Sequence, residues 1–244
     1  MWNKKKVSVI LPTYNEKESI QRAIEDFQYG NIADEIIVIN NNAAPGTSEK
    51  ISKTTAREVF ETRQGYGAAI RRGFKEATGD YIIVSEPDGT FCGKDVVKLL
   101  SYIDDFNVVY GTRTLKELIW SGANMGFFLR WGNYWTAKLI EICFNTTSLS
   151  DVGCTMRCVR KDALRKMEPY FSVDGNTFGP EMIIISTMMK MKIIQIPVNY
   201  APRVGRSSVT GNPLVAFFLG LRMIYMIITY RIKSWLFPNR YKKF

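Results

Sequence analysis

The sequence predicts an α/β fold: a mainly parallel sheet flanked by helices, closed by an apolar C-terminal helical segment. Three observations predict it. Short apolar runs alternate with segments of helical periodicity, each about ten residues long. Such alternation implies right-handed crossovers, which make neighbouring strands parallel. Three of the apolar runs lead into polar tips, Thr13-Tyr14-Asn15, Asn40-Asn41-Asn42 and Glu86-Pro87-Asp88. In a parallel sheet, ligands bind beyond the carboxyl ends of the strands, so these tips are expected to converge on one edge.

The elements follow in order. Val7–Leu11 reads as a buried strand that Pro12 ends, because proline donates no ladder hydrogen bond. Asn15 reads as a helix N-cap, with Glu16 and Glu18 in the first turn and Ile20, Ala23, Ile24 and Phe27 on one face. Glu35–Ile39 is a second strand, a helix is expected over Ser48–Thr54, and a short strand near Glu58–Phe60. Gly65-Tyr66-Gly67 opens a helix over Ala68–Ala77 that Gly79 closes. Tyr81–Val84 and Val108–Tyr110 read as strands, with a helix over Asp95–Ile103 between them. Residues 114–145 are rich in aromatic residues and Gly and show no clear period. Asp151–Lys161 reads as a strand pair or turn, Pro180–Met191 as a helix and Ile193–Tyr200 as a strand.

Leu214–Tyr230 is strongly apolar but carries Arg222 at its centre. A central arginine costs about 2.5–3.5 kcal/mol on insertion scales, so the segment fits an amphipathic helix lying on a bilayer better than a span. Arg222, Thr229 and Lys233 share one side of the wheel, with Leu214, Phe217, Leu221, Ile224 and Ile228 turned away. A core or dimerisation helix has the same pattern. Residues 1–210 are therefore expected to form one domain and residues 211–244 an apolar, basic appendage that binds a membrane or a second copy.

Composition narrows the chemistry. The 244-residue chain is 46% hydrophobic, enough for a core, and carries a net charge of +10. That charge suits an anionic partner: nucleic acid, a lipid surface or a phosphorylated small molecule. No recognised nucleic-acid motif is present. The absence of histidine excludes His-based triads, His-ligated zinc and imidazole acid–base catalysis. Cys92, Cys143, Cys154 and Cys158 form no CxxC pair and read as thiols of a reducing compartment. Met1–Lys6 reads as a lead-in to the first strand rather than as a signal peptide.

Several residues carry chemistry. Glu86 and Asp88 offer hard oxygen ligands of the kind Mg²⁺ or Mn²⁺ takes alongside substrate phosphates, although an acidic pair in a loop is also an ordinary solvated feature. Gly65 and Gly67 at a helix entry could approach a phosphate, without the lysine and hydroxyl of a P-loop. Arg71 and Arg72 could serve the same anion or form a solvated face. Arg203 and Arg206, flanking Gly205, suit phosphate oxygens.

The runs VSVILPTYNEKESI, EIIVINNN, GYGAAIRRGFKEATGDYIIVSEPDGTF, YGTR, DVGCTMRCVRKDAL, FGPEMII and IQIPVNYAPRVGRSS stand in the order found in family-2 glycosyltransferases of the GT-A fold. Over roughly residues 5–210 the chain resembles that family. In pattern it is most similar to the branch containing dolichol-phosphate mannose synthase and bacterial polyprenyl-phosphate sugar transferases. The resemblance implies that Pro12, Tyr14 and Glu16 form the first nucleotide-binding loop. It sets Asn41 where an aspartate commonly contacts the base, and Gly67 and Arg71 in the donor-binding block. Glu86 and Asp88 stand in place of the metal-binding Asp-x-Asp, with Asp88 the main ligand of Mg²⁺ or Mn²⁺. Arg113, Arg130, Arg203 and Arg206 match basic positions near the diphosphate and the acceptor phosphate. Asp151 matches a carboxylate close to the reacting sugar, and Glu181 a further acidic position. Asp151, Asp88 and Arg203 are thereby the expected catalytic residues.

The implied activity is inverting, metal-dependent transfer of a sugar from a nucleoside-diphosphate sugar to a lipid phosphate, at the cytoplasmic face of a membrane and with no nucleic acid involved. The alternatives are transfer to a hydroxyl of a saccharide or glycolipid, with Asp151 as base, and a degenerate GT-A scaffold. A homo-oligomer is a further expected partner state.

Overall fold

The computed structural model describes residues 1–123, 125–205, 213–237 and 241. Seven strands form one sheet: β1 (Val7–Thr13), β2 (Glu35–Asn40), β3 (Arg57–Phe60), β4 (Tyr81–Val84), β5 (Val108–Thr112), β6 (Arg157–Arg160) and β7 (Ile193–Pro197). Their order is β3-β2-β1-β4-β6-β5-β7. All pairings are parallel except those of β6, which runs antiparallel to β4 and β5. The helices are α1 (Ile20–Gln28), α2 (Thr47–Ile51), α3 (Tyr66–Glu76), α4 (Asp95–Ile103), α5 (Phe127–Phe144), α6 (Lys161–Met167), α7 (Phe178–Met188) and α8 (Pro213–Leu236). This is the expected α/β, GT-A-like architecture.

Strand side chains alternate between faces, and the core divides accordingly. Val9, Leu11, Val38 and Ile83 pack with Ile20 and Ile24 of α1 and Leu99 of α4 on one face. Ile10, Ile37, Ile82 and Val84 pack with Phe74 of α3, Phe178 and Ile184 of α7 and Ile227 of α8 on the other. Helix α7 is buried from Phe178 to Thr187 without a polar face, as befits a helix enclosed by α3, α5, α6 and α8.

Several elements differ from expectation. β1 runs through Pro12, which pairs with Ile39 of β2. Pro12 lies beyond Ile10, the last β1 residue paired with β4, so one side of the strand needs no ladder there. α1 starts at Ile20 rather than after Asn15; its expected buried face is as read. The aperiodic segment contains the 18-residue α5, on which Phe127, Phe128, Trp131, Tyr134 and Trp135 form one continuous aromatic stripe of mutually contacting rings. In α8 the packed residues are Met223, Met226, Ile227 and Tyr230. The stripe of Leu214, Phe217, Leu221, Ile224 and Ile228 is exposed, and Arg222 is exposed beside it. Among the described residues, α8 is the helix long and apolar enough to cross a membrane.

Candidate active site

The tips of β1, β2 and β4 meet, as expected, in a cleft of about 1250 Å³. Pro12, Tyr14, Glu16, Asn41 and Glu86 line it, joined by Arg113 and Arg203. α5 and α8 form its opposite wall through residues such as Trp131, Leu139, Phe217 and Met223. The space exceeds that of a typical single-ligand pocket, so it holds room for two substrates.

Glu16 braces the first tip. Its Oε2 accepts hydrogen bonds from the backbone N–H of Tyr14 (2.7 Å) and Asn15 (2.9 Å) and from the Thr13 hydroxyl (3.3 Å). Asn41 is buried, and its side-chain amide ties the cleft wall together. Nδ2 donates to the carbonyls of Glu61 (2.8 Å) and Arg63 (2.9 Å), and Oδ1 accepts from Gly65 N–H at 2.8 Å. Asn41 thus shapes the site chiefly by holding residues 61–65.

The β4 tip carries the acids. Asp88 is fully buried; its Oδ1 accepts from Thr90 N–H (2.9 Å) and the Thr90 hydroxyl (2.5 Å). Oδ2 is buried with no well-formed hydrogen bond, and among the described residues its charge is met by the Arg203 guanidinium at 2.5 Å. The same guanidinium lies 3.0 Å from Glu86 Oε2 and 3.8 Å from Glu16 Oε1. Arg203 is held over the acids by the backbone. Val204 N–H donates to the Asp88 carbonyl and Ala201 N–H to the Thr90 carbonyl, each at 2.8 Å. Gly89, at φ +82°, makes the turn, and a Cβ there would come within 3.3 Å of Val204. Burial and the neighbouring Asp88 charge push the Glu86 carboxyl up to about 8, against the opposing pull of Arg203.

The donor set fits a hard divalent ion. Asp88 presents a buried, orphaned carboxylate oxygen, and Glu86 a second carboxylate about one-quarter exposed to the cleft. Among the described residues no three acids, cysteines or histidines are placed to hold a metal ion by themselves. That is the pattern of a Mg²⁺ or Mn²⁺ site, which takes one or two protein carboxylates and completes its shell with phosphate oxygens and water.

Other expected site residues have different work. Asp151 is buried, and both of its oxygens are fully used. Oδ2 accepts from Arg113 Nε (2.8 Å) and Arg113 N–H (3.0 Å); Oδ1 accepts from Arg113 Nη2 (3.0 Å) and Gly153 N–H (2.9 Å). Burial raises this carboxyl, but the Arg113 charge and the four hydrogen bonds outweigh it and hold it below the ordinary range. Asp151 thus has its acceptor positions occupied and fixes Arg113, which also stacks on Tyr200 with its guanidinium carbon 5.0 Å from the ring centre.

Glu181 is fully buried and accepts from Ser172 N–H (3.0 Å), Ser172 Oγ (2.7 Å), Val173 N–H (3.1 Å) and Tyr230 Oη (2.6 Å). It anchors α8 to α7 rather than touching substrate. Gly67 is packed against the 173–174 backbone, where a Cβ would lie 2.5 Å from the Val173 carbonyl oxygen, and it is not among the residues lining the cleft. Arg71 pairs with Asp174 at 2.8 Å, and Arg130 does not line the cleft. Arg206 lies outside the described residues.

Sequence reading missed Tyr66, Thr155 and Arg157, which line the same cleft. The one available signal was Arg157 entering the run DVGCTMRCVR directly before the apolar pair Cys158-Val159. All four cysteines are free; burial pushes the Cys154 thiol up to about 12, so it is no nucleophile.

Comparison with known proteins places this geometry. At the sequence level, the chain is 28% identical over 217 residues to the low-salt glycan biosynthesis hexosyltransferase Agl6 of Haloferax volcanii. That match covers 85% of this chain but only 50% of Agl6, so the chain spans about half the length of that relative. It is also 28% identical over 217 residues to an uncharacterized glycosyltransferase of Mycobacterium tuberculosis, covering 84% of this chain and 90% of the other. In three dimensions it resembles glucosyl-3-phosphoglycerate synthase from Mycobacterium tuberculosis. The complex with Mn²⁺, UDP-glucose and phosphoglyceric acid superposes with a TM-score of 0.72 at 17% identity, covering 93% of this chain and 80% of that one. The complex with Mn²⁺, UDP-glucose and glycerol 3-phosphate gives 0.72 at 16%, with the same coverage.

These matches correct the expected branch. The structures sharing the fold hold small phosphorylated molecules, not a polyprenyl phosphate, so the lipid-phosphate acceptor and the kinship to dolichol-phosphate mannose synthase are withdrawn. The physical reason is visible here too: Arg113 is spent on Asp151 and Arg130 stands outside the cleft. The expected Mg²⁺ or Mn²⁺ agrees with the Mn²⁺ of those complexes and with the Mg²⁺ of a further complex of the same synthase with UDP. Residues 8–167, about two thirds of the chain, match the family described as Glycosyl transferase family 2, and the chain belongs to that family: it is a family-2, GT-A glycosyltransferase.

Proposed function

We propose that this enzyme moves a hexose from a nucleoside-diphosphate sugar, with UDP-glucose the first donor to test, to a hydroxyl of a small phosphorylated acceptor. The observation that carries the reading is the buried, orphaned Oδ2 of Asp88 beside Glu86 and Arg203, at the sheet edge where the donor loop of Tyr14 and Glu16 also ends. Asp88 and Glu86 would hold Mg²⁺ or Mn²⁺, which supplies Lewis-acid stabilisation of the departing diphosphate.

In the reaction, the bond from the anomeric carbon to the diphosphate oxygen breaks, one to the acceptor oxygen forms, and the proton of the acceptor hydroxyl passes to water in the open cleft. Negative charge grows on the leaving group, and Arg203 stands 2.5–3.8 Å from the three acids at that point, a fixed cation for it. Asp151 takes no proton in this scheme, since its four acceptor positions are filled. It keeps Arg113 fixed at the cleft wall.

A saccharide hydroxyl is the second acceptor class, favoured by the match to Agl6. A panel of UDP- and GDP-sugars against phosphoglycerate, glycerol 3-phosphate and simple saccharides, with and without Mn²⁺, tests both. Metal-dependent transfer to the phosphorylated acceptors supports the first reading; transfer confined to saccharides supports the second.

The finer placement at a membrane surface rests on exposed apolar side chains of α5 and α8, including Phe128, Trp135, Phe217, Phe218 and Tyr225, with Arg222 among them. Co-sedimentation with anionic phospholipid vesicles measures it. Enzyme that stays in the supernatant at low salt removes the membrane from the account and leaves the catalytic reading intact.

A further inference from the structure

One charged group in the cleft has no part in the chemistry above. Arg157 is 1% exposed, yet among the described residues no carboxylate pairs with it. Its N–H groups donate to backbone carbonyls instead: Nη2 to Cys154 (2.8 Å), Nε to Thr155 (3.1 Å) and, at a long 3.4 Å, Nη1 to Gly179. The guanidinium carbon sits 5.7 Å from the centre of the Tyr110 ring. Carbonyls and a ring satisfy donors but leave a net positive charge buried, an arrangement that calls for an anion.

The surroundings converge on the same demand. The hydroxyls of Tyr66 and Thr155 are buried close to one another, neither in a well-formed hydrogen bond, and both residues line the cleft with Arg157. Burial, with a further push from Glu86, raises the Tyr66 phenol well above its ordinary range, so it stays a neutral O–H donor. The first turn of the 11-residue α7 reaches the cleft through Gly179 and Pro180, bringing the positive end of the helix dipole. A Cβ at Gly179 would lie 2.9 Å from Arg157 Nη2, so the guanidinium sits directly against the first turn of α7. Two buried hydroxyls, a cation with no carboxylate partner among the described residues and the first turn of α7 thus face one space.

Topology says which substrate this space serves. Because β6 runs antiparallel, its first residue, Arg157, pairs with Val84 and Tyr110 at the carboxyl edge of β4 and β5. The donor loops end β1 and β2, on the other side of β4 and its acids. We propose that Arg157, the hydroxyls of Tyr66 and Thr155 and the N-terminal turn of α7 form an anion subsite for a phosphate or carboxylate group of the acceptor. The proposal rests on the glycosyltransferase reading and assigns the acceptor's charged end to residues outside the metal-binding tip.

Titration calorimetry on the full chain held at saturating UDP and Mn²⁺ tests it, with inorganic phosphate, glycerol 3-phosphate, glycerate and phosphoglycerate as probes. Tyr66→Phe and Thr155→Val each remove one O–H at nearly constant volume. Each is expected to weaken phosphate binding about three- to tenfold, while UDP–Mn²⁺ affinity changes less than about twofold. Arg157→Met should abolish probe binding, with circular dichroism reporting whether it folds; the two hydroxyl variants carry the test if it does not. Loss on glycerol 3-phosphate but not glycerate names phosphate as the bound group, and the reverse names carboxylate. Unchanged phosphate affinity in both hydroxyl variants overturns the subsite, as does displacement of phosphate from the wild type by UDP. A wild type that binds no UDP–Mn²⁺ overturns the glycosyltransferase reading itself, a failure distinct from that of the subsite.

Discussion

Asp88 and Asp151 are both carboxylates buried beside an arginine, yet their surroundings give them opposite chemistry. Asp151 has every acceptor position filled by Arg113 and Gly153, a closed pair with nothing left for a ligand. Asp88 has one oxygen engaged by Thr90, and its other oxygen is orphaned beneath a guanidinium that it shares with Glu86 and Glu16. Burial alone does not mark a catalytic acid; unfilled acceptor capacity does. The closed pair positions a wall residue, and the open cluster meets the substrate.

The largest effect that sharpens this contrast is on turnover. Asp88→Asn should cut Mn²⁺-dependent sugar transfer by about 10²–10³-fold or more, the scale of losing a preorganised charge-stabilising group, with little loss of fold. Steady-state kinetics alongside circular dichroism checks it; near wild-type kcat would break the metal assignment. Asp151→Asn should act on stability instead, costing about 3–5 kcal/mol in urea unfolding because it strands a buried Arg113 charge. A loss below about 1 kcal/mol would show the pair to be dispensable.

The same pair sets a pH signature. The Asp151 carboxyl lies below its ordinary value of 3.8 in the folded protein, so the unfolded chain takes up its proton first as pH falls. Its contribution is complete above the unfolded pKa and fades as pH drops through the folded one. The stability gap between wild type and Asp151→Asn should therefore be constant from pH 6 to pH 8 and narrow below about pH 4. Unfolding midpoints across that range measure it. A gap that widens in acid would reverse the sign of the account.

The smallest predicted effect concerns another closed carboxylate, Glu181. Tyr230→Phe removes one of its four donors and should cost about 1–2 kcal/mol, with UDP affinity unchanged. A change in UDP affinity would return Glu181 to the substrate site.

The contrast also shows what a linear sequence makes legible. The polar tips were readable because each follows directly on its strand, and parallel topology sends them all to one edge. The saturation of Asp151 was not, since its partner is 38 residues away and only the fold brings Arg113 to it. Arg157 was hidden for a related reason. Nothing local announces that β6 is antiparallel, and only that reversal carries its first residue to the ligand edge. α5 escaped because its aromatic stripe of Phe127, Phe128, Trp131, Tyr134 and Trp135 is largely exposed, and the buried Thr136, Ala137 and Ile140 are too few to mark a core face.

The central claim is that the open carboxylate, not the closed one, seats the metal with the donor. Electron paramagnetic resonance of Mn²⁺ in the presence of UDP, recorded for wild type, Asp88→Asn and Asp151→Asn below their unfolding temperatures, tests it most directly. The account predicts a bound Mn²⁺ signal in wild type and Asp151→Asn and its loss in Asp88→Asn. A signal retained in Asp88→Asn and lost in a folded Asp151→Asn would contradict it.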